Sequence, residues 1–298
     1  MRQGETAGRK FKKIDNAIID VGSNSVRLLT LADGKVLYKT LETTRLGEGI
    51  AQSPFLKPEA IERTANAVAD FYKRAKEEGA EKVYAFATAA VRSAKNGRAF
   101  VDTVKALCGL QVDIVSGEQE AELGISGALD GDGGVIDVGG ASTEIVVKKQ
   151  GETVYKKSVN IGVVRLKDDC GYDKGKIVQT AERFAEEFGV IPSTEMYAIG
   201  GTATTVGALI AELKEYSAEA VTGVQVTLKQ MQELSDRLIK TPIEEIEKIP
   251  CVHPKRADVI GGGVTLLAVL MERLNIPKLT VSDADNLEGY AKYLGLLK

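Results

Sequence analysis

The chain has 298 residues, of which 44% are hydrophobic and 27% are charged, and its formal net charge at pH 7 is −3. This length can bury one large core or two moderate ones, and the balanced charge gives no overall basic surface for a nucleic-acid duplex or an anionic membrane. The single histidine, His253, excludes zinc sites with two or three histidine ligands and His–Asp phosphohydrolase clusters, and no G-x-S-x-G motif supports a serine triad around it.

The first half of the chain predicts three strands followed by alternating helices and strands. The three strands lie within residues 14–45 and are separated by the turn sequences VGSNS and DGK. A helix is predicted from Pro58 to about residue 78, because apolar residues recur with a helical period and proline suits a first helical turn. The elements that follow are strand 83–88, helix 95–108, strand 111–116 and a helix that begins at Gly117.

The same pattern restarts near residue 133, where three strands again come first. The segments IIDVGSNSVRLL and VIDVGGASTEIV match at one constant offset, as from Asp20 to Asp137 and from Ser25 to Ser142. Such a duplication predicts two similar lobes, which we place at residues 1–122 and 123–298. The remaining predicted elements are helix 175–188, strand 196–201, a helix from residue 202, helices 227–239 and 256–274, strand 278–283, and a final helix within 286–298 that is expected to pack back on the first lobe.

Cysteine usage and hydropathy indicate the compartment. The three cysteines are widely spaced and indicate reduced thiols, and no apolar segment is long enough for a membrane span or a signal peptide. We therefore predict a soluble cytoplasmic protein with no membrane and no nucleic-acid duplex as partner. A basic N-terminal cluster is interpreted as a solvated tail, and it comprises Arg9, Lys10, Lys12 and Lys13.

Two glycine-rich turns are the first candidates for a binding site. Each follows an apolar strand that ends in aspartate, and each can present backbone N–H groups and hydroxyls to phosphate oxygens. One such turn is more often an ordinary hairpin turn, but two turns at one offset favour a phosphate clamp between two lobes. The candidate residues are Gly22, Ser23, Asn24 and Ser25 in the first turn and Gly139, Gly140, Ser142 and Thr143 in the second.

Further candidates for anion binding lie at the ends of predicted strands. A third glycine turn, AIGGTATT, opens a helix at Gly201 and Thr202. A helix N-terminus attracts anions, although close helix–strand packing explains these glycines equally well. Arg27 and Arg92 can clamp phosphate in bidentate fashion, and each is equally a candidate for a surface charge.

Carboxylates supply the candidates for metal binding and for proton transfer. Asp137 and Glu144 lie on facing arms of one predicted hairpin and suit Mg²⁺, with Asp20 as a third acidic candidate. Most acids in the run SGEQEAE are interpreted as surface groups stabilised by the helix dipole. Glu120 would differ from them if the junction between the lobes faces the cleft.

The motifs, taken in order, resemble the exopolyphosphatase and guanosine pentaphosphate phosphatase family. They are NAIIDVGSNSVRLL, ATAAVRSAKN, VDIVSGEQEAEL, VIDVGGASTEIV, AIGGTATT and KRADVIGGGVTLL, followed by LTVSD and LEG, and they cover residues 14–290. The resemblance implies an α/β fold of two duplicated ribonuclease-H-like lobes, as in the actin and sugar-kinase superfamily, with a phosphate-binding cleft between them.

The resemblance also implies roles for individual residues. Glu120 matches the family's general base, which would deprotonate a water for in-line attack on a terminal phosphoryl group. Arg92 matches an arginine that contacts phosphate, and Asp137 and Glu144 match the acidic positions linked to Mg²⁺, with Mn²⁺ as an alternative. The three glycine turns match the family's phosphate loops. The implied substrates are inorganic polyphosphate or guanosine pentaphosphate (pppGpp), and a homodimer is expected.

Four positions depart from the family pattern. Ala141 stands where the family has a glycine, and Gln119 replaces the first glutamate of the usual pair. Asp285 and Leu287 stand where the family has glycine and arginine, which removes one cation that could serve a long polyanion. Because the printed chain also ends after the second lobe, we expect the short two-domain form and short polyphosphate or pppGpp as the favoured substrates.

Three functions remain open from the sequence. The first is a Mg²⁺-dependent phosphoanhydride hydrolase. The second is an ATP-dependent small-molecule kinase of the same superfamily, because the third glycine turn also fits adenosine phosphates. The third is a sensor that binds polyphosphate or a nucleotide alarmone without turnover, because of the departures at Ala141, Asp285 and Leu287.

Overall fold

The first half of the molecule is built on one mixed five-stranded sheet. The computed structural model describes residues 13–297, so Arg9, Lys10 and Lys12 of the basic cluster lie outside the described residues. The spatial order of the strands is β3-β2-β1-β4-β5, and only the pairs β1–β2 and β2–β3 are antiparallel. The strands are β1 (Asn16–Val21), β2 (Ser25–Ala32), β3 (Lys35–Thr43), β4 (Lys82–Ala87) and β5 (Asp113–Ile114).

Four helices accompany this sheet. The longest begins at a proline and buries the stripe of small and apolar side chains that its helical period predicted. The fourth begins with a capping box between Ser116 and Gln119. The helices are α1 (Pro58–Glu77), α2 (Ala89–Ser93), α3 (Gly97–Cys108) and α4 (Gly117–Ala128).

The second half is built on a six-stranded sheet in the order β10-β11-β9-β6-β7-β8. Its strands are β6 (Gly133–Val138), β7 (Thr143–Lys149), β8 (Glu152–Val159), β9 (Met196–Ile199), β10 (Gln225–Thr227) and β11 (Lys278–Val281). A 3₁₀ turn at Pro254–Arg256 precedes the longest helix of this half. The helices are α5 (Val163–Cys170), α6 (Lys174–Phe188), α7 (Gly200–Ile210), α8 (Ala218–Val221), α9 (Leu228–Leu238), α10 (Ile243–Ile246), α11 (Ala257–Arg273) and α12 (Asn286–Tyr293).

The two sheets repeat one ribonuclease-H-like arrangement, which confirms the predicted fold. In each half the first strand pairs antiparallel with the second and parallel with the fourth, β4 or β9. The duplication extends to single residues, because Asp20 lies opposite Arg27 in the first hairpin and Asp137 lies opposite Glu144 in the second.

Two helices exchange partners between the halves. Helix α4 packs Ala121 and Ile125 on the second sheet, whereas the C-terminal helix α12 packs Leu287 and Tyr290 on the first sheet, where the Tyr290 ring stacks on Phe86 at 4.5 Å. The predicted boundary at residue 122 therefore falls within a helix that contacts both sheets, and its position stays a prediction.

Some local predictions were wrong. The loop expected around Arg92 contains helix α2, and the strand expected at 111–116 spans only two residues. Strand β9 ends before Gly200 rather than after it, because this glycine adopts a φ of +77° and begins α7. Helix α5 was not predicted, although its apolar side chains are buried.

No helix among residues 13–297 is both long and apolar enough to cross a membrane. The cytoplasmic location and the homodimer stay predictions.

Candidate active site between the two lobes

The first two glycine turns meet where the lobes face each other. Each closes its hairpin in the same way, because Gly22 N donates to Ser25 O and Gly139 N donates to Ser142 O, both at 3.0 Å. A Cβ atom on Gly140 would lie only 2.7 Å from Ser23 Cβ. The clamp-like arrangement of the turns is thus present, with the turns in direct contact.

A cleft opens beside these turns and gathers most of the residues that the sequence singled out. Among the predicted residues, those that line it are Asp20, Gly22, Ser23, Asn24, Ser25, Arg27, Glu120, Asp137, Gly139, Gly140, Ser142, Gly201 and Thr202. Three predicted residues, Arg92, Thr143 and Glu144, do not line it. Ala141, one of the departures, lines the cleft with its methyl group packed in the core of the first lobe.

Glu120 lies in the first turn of α4 and faces the cleft. The glutamate is 7% exposed, and its Oε2 accepts a hydrogen bond of 2.8 Å from Arg92 Nη1. Burial raises the pKa of Glu120, against the lowering effect of the Arg92 charge. Gln119, one of the departures, has a structural role here, since its side-chain amide oxygen completes the capping box with Ser116. A buried, partly neutralised carboxylate at a cleft wall has the properties of a general base.

Arg92 connects two carboxylates beneath the cleft. Its Nη1 also donates to Val115 O at 3.0 Å, and its Nη2 lies 3.9 Å from Glu144 Oε1. Arg92 therefore positions Glu120 in this structure, and its contact with substrate phosphate stays a prediction.

Asp137 and Glu144 form an acidic pair whose negative charge is not fully compensated by a paired cation among residues 13–297. Glu144 Oε1 accepts a 2.6 Å hydrogen bond from Ser158, while its Oε2 is buried without a hydrogen-bond partner among residues 13–297. Burial, followed by the charges of Glu120 and Asp137, raises the pKa of Glu144 well above its usual value. Burial is also the main cause that raises the pKa of Asp137 to about 8.

The equivalent pair in the first lobe is neutralised. Arg27 Nε donates to Asp20 Oδ2 at 2.9 Å, and the other edge of the guanidinium binds Asp285. Asp20 Oδ1 is buried and finds no partner in the described part of the chain. The structure brings no cluster of three or more His, Cys, Asp or Glu residues together as a metal site within residues 13–297. Asp20 as a third metal ligand stays a prediction.

The third glycine turn lies beside the second hairpin, because β9 pairs with β6 and Ile199 lies opposite Asp137. Glycine is required at Gly200, which has a φ of +77° and where a Cβ would lie 2.4 Å from Asp137 Oδ1. A Cβ on Gly201 would lie 1.6 Å from Arg256 Nη1, the end of a flexible side chain, so a larger residue there would displace the guanidinium. Helix α7 has no side-chain cap at its N-terminus, so its first N–H groups are available to an anion. Thr202 donates to Val138 O at 3.2 Å and fixes the helix on the second sheet. The Thr143 hydroxyl is similarly committed, at 2.7 Å, to the carbonyl of Ile161.

Two residues of the cleft were missed from the sequence. Arg256 is the last residue of the 3₁₀ turn, and its guanidinium has no hydrogen-bond or ion-pair partner among residues 13–297. Burial, then the charge of Arg27, lowers the pKa of Arg256 to about 10. Asn286, which is 3% exposed, donates from Nδ2 to Asp137 Oδ2 at 3.2 Å. Asn286 could have been predicted as a cleft residue from its position after strand β11. This strand is parallel to β9, and side chains that follow adjacent parallel strands meet at one edge of the sheet.

Similar proteins were found by family and by structure. The model of the Ppx/GppA phosphatase family matches residues 29–291. The chain is 34% identical to an exopolyphosphatase 2 of Mycobacterium tuberculosis, over 92% of this chain and 97% of that protein. It is 30% identical to a guanosine-5'-triphosphate,3'-diphosphate pyrophosphatase of Photobacterium profundum, over 92% of this chain and 58% of that protein. A crystal structure of the Ppx/GppA family member of Aquifex aeolicus matches with a TM-score of 0.76 and 30% identity, over 94% of this chain and 97% of that one.

Proposed function

Since the chain belongs to the Ppx/GppA phosphatase family, we propose that it is a phosphoanhydride hydrolase that releases terminal orthophosphate from inorganic polyphosphate of short chain length, from pppGpp, or from both. The relatives named as exopolyphosphatase and as guanosine pentaphosphate pyrophosphatase support these two substrates. The observation that carries the proposal is the position of buried Glu120 at the wall of a cleft that also holds two glycine–serine turns and an unpaired arginine.

The terminal phosphate would bind between the three turns. Backbone N–H groups of the turns at Ser23 and Ser142 can donate to its oxygens, as can the free N–H groups at the start of α7. Arg256 supplies the positive charge, since its guanidinium faces the cleft without a partner among the described residues. Phosphate binding would restore to this buried cation the charge compensation that it lacks.

Glu120 would accept the proton of the attacking water. As the water oxygen bonds to phosphorus, the bond from phosphorus to the bridging oxygen breaks, and the shortened phosphate chain leaves. A base must be ionised to act, and the Arg92 ion pair favours the ionised form of Glu120 against the effect of burial. Arg92 therefore acts on this step through the carboxylate that it holds.

Asp137 and Glu144 would hold the metal ion, Mg²⁺ or Mn²⁺. The fit is good, because Glu144 Oε2 is buried without a partner in residues 13–297. Burial raises the pKa of Asp137 to about 8, and the charge of Arg27 does not offset it. Two carboxylate ligands, with water and phosphate oxygens completing the shell, are typical of Mg²⁺ sites. When bound, such an ion neutralises negative charge on the phosphate oxygens.

A phosphate-release assay tests the proposal. Purified protein is incubated with tripolyphosphate, long polyphosphate and pppGpp in parallel, with Mg²⁺ or Mn²⁺ varied and with a chelator as the blank. The proposal expects metal-dependent orthophosphate release from at least one substrate. Tight binding without release would instead support a sensor, and phosphorylation of acetate, butyrate or a sugar by ATP would support a kinase.

A further inference from the structure

Arg27 stands between the cleft and a second, larger cavity. Arg27, Gly200, Gly201 and Arg256 line both spaces, so the part of a substrate that extends beyond its terminal phosphate has a direct path past these residues. An arginine at such a point would ordinarily bind the next phosphate, because its planar fork of donors matches phosphate oxygens.

Asp285 forms an ion pair with Arg27. One edge of the Arg27 guanidinium binds Asp20 Oδ2, and Nη1 on the other edge binds Asp285 Oδ2. Two carboxylates therefore share the single positive charge of Arg27, although burial raises the pKa of Asp20. Burial opposes ionisation of Asp285, but the charges of Arg27 and Lys39 outweigh it and lower its pKa. Arg27 thus presents no free positive charge to an incoming anion.

The Asp285 side chain is held rigidly in this position. It caps helix α12, where its Oδ1 accepts from Leu287 N at 3.0 Å and its own N–H donates to Glu288 Oε2 at 2.9 Å. The residue is 4% exposed. A carboxylate fixed by a capping box cannot swing aside without the loss of the helix cap.

The rest of the second cavity is no more favourable to a polyanion. Its lysine, Lys39, is paired with Asp283 and Glu288, and Glu215 adds a further negative charge to the lining. Arg256 is the one cation of this lining without an ion pair among residues 13–297. Apolar groups such as Leu41 and Val252 complete the wall.

We propose that Asp285 is a specificity-determining residue, which neutralises Arg27 and so disfavours substrates whose phosphate chain continues into the second cavity. Substrates with few phosphates beyond the terminal one, such as tripolyphosphate, carry less negative charge into this cavity and meet less of this repulsion. The inference rests on the proposed phosphatase function. It concerns selection among substrates and leaves the hydrolytic step unchanged.

The test compares kcat/KM for long polyphosphate and for tripolyphosphate in the wild type and in Asp285→Asn. Asparagine removes the charge and retains an oxygen that can cap α12. Asp285→Ser is a second capping variant, and thermal unfolding of both variants verifies that the helix is intact. We expect the ratio of long polyphosphate to tripolyphosphate activity to rise at least about fivefold, since loss of the Asp285 charge removes a like-charge repulsion that only the longer chain meets in full. An unchanged ratio in both folded variants overturns the inference.

Two further variants locate the effect. Asp283→Asn removes a charge from the same cavity but from the Lys39 pair, so it should change the ratio much less, and an equal change would show that Arg27 is not the determinant. In an Arg27→Met background, Asp285→Asn should produce no gain. If the wild type releases phosphate from neither substrate, the proposed function itself fails, which this comparison distinguishes from a wrong role for Asp285.

Discussion

Gly140 is the point at which the two phosphate turns touch, and Gly140→Ala is a direct perturbation of that contact. The added Cβ would lie 2.7 Å from Ser23 Cβ and 3.1 Å from Asn24 N, whereas nonbonded carbons pack at about 3.5 to 4.0 Å. The φ of Gly140 is not positive, so the effect is steric rather than conformational. The turns must therefore separate by about 1 Å.

A displacement of this size predicts two different magnitudes. Overpacking should lower the free energy of unfolding by about 1–3 kcal/mol. Misplacement of groups that bind a reacting phosphate by about 1 Å should lower kcat/KM by roughly a hundredfold. The loss of activity thus exceeds what the loss of stability explains at temperatures where the variant remains folded.

The assay combines phosphate release with thermal unfolding. Gly131→Ala is the matched control, because a Cβ at that position meets no atom within 4 Å and the φ of Gly131 is not positive. The control should behave as the wild type in both measurements. If folded Gly140→Ala retained kcat/KM within about twofold of the wild type, the two turns would not act on one phosphate, and the reasoning would be refuted.

Three other variants probe the site. Arg92→Met removes the charge that lowers the pKa of Glu120, so the acidic limb of the kcat/KM profile should move to higher pH; an unmoved limb contradicts the ion-pair role. Gly201→Ala displaces the Arg256 guanidinium and should weaken product inhibition by orthophosphate about tenfold or more, with little change in melting temperature. For Asp137 the folded pKa of about 8 lies above the unfolded value near 3.9, so burial of the charge costs stability increasingly as pH rises between these values. In the absence of metal, the free energy of unfolding of Asp137→Asn should therefore increase by about 2–4 kcal/mol relative to that of the wild type between pH 5 and pH 8, as measured by denaturant unfolding. A difference that stays constant over this range would show that ionisation of Asp137 does not destabilise the folded wild type.

The hairpins and their turns were predictable because their signals are local. Strand alternation, glycine turns and the repeat that relates Asp20 to Asp137 are all visible within short segments, and they were sufficient to place the three-stranded start of each sheet. Strand β10 was not predicted. The same offset relates Arg27 to Glu144, and the strand pairing confirms that these residues of opposite charge occupy equivalent positions. That difference makes one pair neutral and leaves the other in need of a cation.

The parts that were missed depend on contacts between distant segments. Arg256 lies within the motif KRADVIGGGVTLL, and Asn286 lies between LTVSD and LEG, but these motifs do not show which of their side chains face the cleft. That depends on how α11 and α12 fold over it. Arg92 was expected to contact phosphate, but in the structure it donates a hydrogen bond to Glu120, because α2 directs the Arg92 side chain toward α4. The direction of a long side chain is set by tertiary packing that a motif does not contain.

Single-turnover phosphate release by Glu120→Gln, alongside an independent measurement of substrate binding, tests most directly whether Glu120 activates the attacking water. Glu118→Gln on the same helix is the control, since Glu118 is exposed and pairs with Lys156. If Glu120 is the general base, Glu120→Gln should lose at least about a hundredfold in rate while it binds substrate with an affinity close to that of the wild type, and Glu118→Gln should be fully active. A Glu120→Gln protein that releases phosphate at the wild-type rate would show that Glu120 is not the base.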